Sequence, residues 1–201
     1  MINPKFALDT NFVAPCILHG SKSKNKFNWL DTLIYMQSKN IITLSLPTTT
    51  QAEIYGVLRS GRMKRKLKNG TKVPLVLEHH EILKIATVYK EIFNLDYMNK
   101  LDGAKLDDPS TYKTQLLQEV KHSAYQMDIR QCLEYLRNKG IDLARFDRNE
   151  GDIYDLHIMV SSIKEAADYL VTTNIKDFPN PLGTCVVIQK ENLPEVLPLY
   201  P

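Results

Sequence analysis

Short apolar runs alternate with stretches of helical periodicity near both ends of this 201-residue chain. Lys5 to Leu8 reads as a buried strand ending at Asp9, and Ile41 to Leu46, bounded by Asn40 and Pro47, reads as a second. Between them Trp29, Leu33 and Met36 recur at helical spacing, and Thr48 to Thr50 offer N-caps for a helix through about Leu58. Further on, a short third strand is expected over Ile141 to Ala144. A helix then runs from Asp152 or Ile153 to about Ala167, followed by strands at Tyr169 to Thr172 and Thr184 to Ile188. This order predicts an α/β fold with a parallel sheet and right-handed crossovers. In such sheets ligands collect beyond the carboxyl ends of the strands.

The middle of the chain reads differently. From Gly61 to about Asn138 it is mostly polar with helical periodicity: Ile82, Ile85, Val88, Tyr89 and Ile92 form one stripe, and Leu117, Val120, Ala124 and Met127 another. The turn-rich DGAKLDDPS separates them. The expectation is a single domain over 1–201 with a mostly helical insertion at about 61–138. No apolar stretch approaches the ~20 residues that span a bilayer, and MINPKFALDTNFV lacks the pattern of a secretory leader. Both point to a cytoplasmic protein. Cys16, Cys132 and Cys185 are far apart with no CxxC pair, so each reads as a small buried side chain rather than a disulfide or zinc ligand.

Four acids stand at element ends: Asp9, Glu53, Asp155 and Asp177. Two carboxylates ~4 Å apart repel by roughly 4 kcal/mol at an effective dielectric near 20. If the fold gathers them, a divalent cation is the natural counter-charge. Each acid also has an ordinary structural role open to it. Asp9 suits a loop after a strand, and Glu53 closes a capping box with Thr50. Asp155 complements a helix dipole, and Asp177 makes a turn before Phe178–Pro179. His157 lies two residues from Asp155, on a different helix face, and reads as a packing residue. Between Arg59 and Lys72 the chain carries Arg59, Arg62, Lys64, Arg65, Lys66, Lys68 and Lys72 with no acid. That run suits either phosphate contacts or a solvated loop.

LDTN (Leu8 to Asn11), TTTQAEI (Thr48 to Ile54), DIYDLHI (Asp152 to Ile158) and LVTTNIKDFP (Leu170 to Pro179) follow one another in an order that resembles the PIN-domain ribonucleases, which include VapC-type toxins. The likeness covers 1–58 and 141–190 and is absent over 61–138; TNIKDFP after an apolar strand is its most specific piece. It implies a three-layer α/β/α fold with strand order 3-2-1-4-5 and a catalytic, metal-binding set of Asp9, Glu53, Asp155 and Asp177. Asp152, Thr10, Asn11, Thr173 and Asn174 become helpers. It also implies Mg²⁺ or Mn²⁺ dependence and single-stranded RNA as substrate. The basic residues Arg59, Arg62, Lys64, Arg65, Lys66 and Lys68 would then hold RNA. An antitoxin and a homodimer are the partners expected of a toxin, and a processing nuclease is equally consistent. The competing reading is a catalytically silent PIN-like module that binds RNA or protein. A haloacid-dehalogenase-like phosphatase needs a second acid where this chain has Asn11, which argues against that alternative; release of phosphate from a monoester with no cut in RNA would revive it.

Overall fold

Ala7 lies opposite Leu170, and Leu170 opposite Val187, so one apolar row crosses three parallel strands. The computed structural model describes residues 3–20, 28–66, 69–101, 127–144 and 153–197. In chain order its elements are β1 (Lys5–Leu8), α1 (Thr10–Gly20), α2 (Trp29–Ser38), β2 (Thr43–Ser45), α3 (Thr48–Arg59), β3 (Lys64–Lys66), β4 (Lys72–Pro74), α4 (His79–Val88), α5 (Leu95–Lys100), α6 (Ile129–Asn138), α7 (Ile153–Lys164), β5 (Tyr169–Thr172), β6 (Val186–Gln189) and α8 (Leu193–Val196). They fall into two compact units, Met1–Pro47 with Met127–Pro201, and Thr48–Gln126.

The first unit is built on a four-stranded sheet in the order β2-β1-β5-β6, parallel throughout. On one face, Ala7, Leu170 and Val187 share a core with Cys132 and Leu136 of α6, Leu156 and Met159 of α7, and Phe178 and Leu182. Burying each large apolar side chain here contributes roughly 1.5–3 kcal/mol. On the other face Phe6, Leu8 and Val171 are buried too. The Phe6 ring stacks on Tyr169 at 4.9 Å, α1 packs against β5, and α2 against β2. Helices and a parallel sheet buried on both faces are compatible with three layers.

β1 and β5 coincide with their expected bounds, while several other expectations fail for local reasons. No strand forms at Ile141 to Ala144. Ile141 and Leu143 are buried between exposed neighbours, which imitates strand alternation, but Asp142 Oδ1 accepts the Ala144 N–H at 3.0 Å and closes an Asx turn instead. The described residues therefore lack the outer strand that the order 3-2-1-4-5 requires beside β2. The helix after Asp152 stops at Lys164, because Ala166 takes a left-handed φ of 51° and the Ala167 N–H reaches back to the Ser162 carbonyl. The last strand starts at Val186, after Leu182 and Cys185 pair in an antiparallel bridge.

In the second unit the chain after Gly61 opens with two strands before its helices α4 and α5. β3 and β4 form an antiparallel hairpin, closed where Asn69 Oδ1 accepts the Thr71 N–H at 3.1 Å and Gly70 takes a φ of 86°. Ile82 and Ala86 form the buried face of α4, Tyr89 and Ile92 are buried beyond it, and Val88 is 72% exposed. The stripe of Leu117, Val120 and Ala124 lies outside the described residues. Ile129–Asn138, expected within the insertion, belongs to the first unit. No helix among the described residues is long and apolar enough to cross a membrane.

Candidate active site

β1 and β5 run side by side with Leu8 opposite Val171, so whatever follows each strand emerges at the same edge of the sheet. Asp9 follows β1. Its N–H donates to the Val171 carbonyl at 3.0 Å, and its own carbonyl accepts the Phe12 and Val13 N–H groups, starting α1. The side chain is 1% exposed. Thr172, the last residue of β5, donates its hydroxyl to Asp9 Oδ2 at 2.7 Å. Asp9 Oδ1 is buried with no hydrogen-bond partner among the described residues. Burial pushes the carboxyl up from 3.8 to about 6; the Thr172 hydroxyl and the nearby Thr10 and Asn11 groups draw it partly back, none of them pairing with Oδ1.

The loop after β5 is tied to this point. The Asn174 N–H donates to Thr172 Oγ1 at 2.9 Å, which turns the threonine hydrogen toward Asp9. Asn174 Nδ2 donates to Asp177 Oδ2, and the Asp177 N–H returns to the Asn174 carbonyl. Thr173 Oγ1 donates to the Asn11 carbonyl at 3.1 Å. Pro15, inside α1, has no N–H to offer that carbonyl one turn back, so the threonine supplies the donor the helix lacks. Asp9, Asn11, Thr173, Asn174 and Asp177 thus belong to one connected group, and Thr10 begins α1 within it. Thr172 joins it without having been expected there. Its signal in the sequence is a hydroxyl ending an otherwise apolar strand, a group that must find a partner when buried.

Asp155 stands in the first turn of α7 and is 7% exposed. Asp9 and Asp155 are the only acidic side chains buried among the described residues. His157, two positions on, is 1% exposed, and its Nε2 donates to the Met127 carbonyl at 2.6 Å. Nδ1 is buried without a partner among the described residues, and burial holds the imidazole below its ordinary range. Asp152 and Lys68 lie outside the described residues. Glu53 is half-buried on α3, in the second unit. Its capping box with Thr50 does not form: α3 already begins at Thr48, and Thr50 Oγ1 is buried without a partner among the described residues.

Among the basic residues, Arg59 donates from Nη1 to Glu78 Oε2 at 2.9 Å and to the Leu77 carbonyl. Arg62 and Lys64 are exposed, and Arg65 and Lys66 lie on β3. A buried carboxylate oxygen with no donor is the kind of atom that a hard cation such as Mg²⁺ accepts. Among the described residues, however, no three His, Cys, Asp or Glu side chains are grouped so as to hold a metal ion. No family model, curated protein or solved structure matches this chain.

Proposed function

We propose that this chain is a metal-dependent endoribonuclease of PIN type, hydrolysing phosphodiester bonds of single-stranded RNA at the carboxyl edge of β1 and β5. One observation carries the reading: Asp9 is buried with Oδ1 unpartnered, and among the described residues no basic side chain neutralises it. An uncompensated buried carboxylate costs stability, and a site that binds a cation is a reason to keep one. In this reading Asp9 holds Mg²⁺ or Mn²⁺ through Oδ1, with its other oxygen fixed by Thr172. Asp155 supplies the second buried carboxylate, and Asp177, held by Asn174, is the outermost acid. Bound metal supplies a water of lowered pKa and offsets charge on the phosphodiester. The four motifs also imply Glu53 as the fourth acid and Asp152 as a helper, whether the enzyme is a toxin with an antitoxin or a processing nuclease.

The test is cleavage of unstructured and structured RNAs with Mn²⁺, Mg²⁺ or EDTA, comparing the parent with Asp9→Asn and Asp155→Asn. Metal-dependent cleavage lost in both variants is the expected result; full activity of Asp9→Asn removes Asp9 from the mechanism. The lack of a three-residue ligand group among the described residues favours a second reading, a catalytically silent module. RNA affinity with no metal-dependent cleavage identifies that case.

A further inference from the structure

We infer that the β3–β4 hairpin is a docking surface for the phosphate backbone of single-stranded RNA, with Lys64, Lys66 and Lys72 as its contact positions. The register sets Lys66 opposite Lys72 and Lys64 opposite Pro74, so the three lysine positions share one face of the ribbon. Lys64 and Lys72 are exposed, and neither pairs with an acid among the described residues. Lys64 and Lys72, exposed in a stretch that carries no acid from Arg59 to Lys72, are complementary in charge to a polyanion. Arg59 plays a different part. Its guanidinium is committed to Glu78 and the Leu77 carbonyl, and the Leu77 N–H donates to the Leu58 carbonyl at 3.0 Å. Arg59 therefore anchors the root of the hairpin to α3 and leaves recognition to the lysines. A lysine ammonium is a compact charge on a flexible stem that suits phosphate without reading sequence. The choice of RNA among polyanions rests on the proposed nuclease reading.

The test is the affinity of the full chain for a labelled, unstructured RNA in EDTA, where cleavage does not contribute, over a range of salt. Replacing all three lysines (Lys64→Gln, Lys66→Gln, Lys72→Gln) lowers affinity about tenfold or more near 50 mM salt, and reduces the slope of log K against log salt by about 2. The triple Lys→Arg variant retains affinity. A charge-matched variant of exposed lysines in the same unit (Lys84→Gln, Lys90→Gln, Lys100→Gln) stays within about twofold of the parent. Three results overturn the proposal: unchanged affinity in the hairpin variant, an equal loss in the matched control, or phosphatidylserine vesicles binding the hairpin as well as RNA does. Binding of this kind without cleavage leaves the hairpin standing and removes the nuclease reading. Cleavage with unchanged binding in the hairpin variant does the reverse.

Discussion

Thr172 gives its hydroxyl hydrogen to Asp9 and takes one from the backbone of Asn174, at 2.7 and 2.9 Å. Thr172→Val keeps the shape of the side chain and removes its hydroxyl from Oδ2, while Oδ1 stays unpartnered among the described residues. Hydrogen bonds to charged groups contribute about 1.5–3 kcal/mol. Urea unfolding at pH 8 is expected to show a loss of about 2 kcal/mol and a smaller loss near pH 4.5, where Asp9 is protonated. RNA cleavage falls in parallel, while Thr172→Ser keeps most of both.

Asp9 titrates at about 6 in the folded chain against 3.8 when unfolded. The folded state therefore holds this proton more tightly. Its stabilising contribution is full below pH 3.8, is lost as pH rises toward 6, and amounts to about 3 kcal/mol. Asp9→Asn removes this decline, so the variant is more stable than the parent at pH 7 and inactive. Without metal, unfolding curves from pH 4 to pH 8 check the first point. Mn²⁺ is expected to raise the Tm of the parent and not of Asp9→Asn.

His157 acts in the opposite direction. Burial lowers its folded pKa below the ordinary 6.5, so its contribution is present above pH 6.5 and lost as pH falls. Protonation would place an N–H at Nδ1, which has no acceptor among the described residues. His157→Gln keeps a donor for the Met127 carbonyl without the titration. It is expected to cost less than about 1.5 kcal/mol at pH 8 and to reduce the acid-side loss of stability in the same unfolding series.

Asn180 covers the open side of β6. Its Nδ2 donates to the Val187 carbonyl at 3.0 Å and its Oδ1 accepts the Val187 N–H at 3.2 Å, satisfying both groups at the sheet edge. Unpaired edges invite pairing with another strand. Asn180→Ala is expected to cost about 1–3 kcal/mol in urea unfolding and to produce concentration-dependent association by light scattering.

The strands on either side of the site are legible in the sequence because Lys5–Leu8 and Tyr169–Thr172 are short apolar runs ended by polar residues. Their adjacency follows from parallel topology, which is why Asp9 and the Thr173–Asp177 loop are expected to meet. The hairpin is hidden because KRK and KVP carry charge and proline where strands favour branched apolar residues. The Asn69–Gly70 turn is the available signal. The Asp142 turn is hidden for the converse reason, since burial alternates there with no strand to pair with. Thr172 looks like no more than the end of a strand, and the second unit's Glu53 carries no local pattern that separates a ligand from a helix surface.

Asp9 and Thr172 are separated by 163 residues of chain. At about 5–20 residues per second, a ribosome takes roughly ten to thirty seconds between making the first and making the second. A nascent polypeptide therefore carries its carboxylate long before the strand that orients it exists. Whatever chemistry this corner of the sheet performs is withheld until the strand that carries Thr172 has been made, with no inhibitor required in the interval.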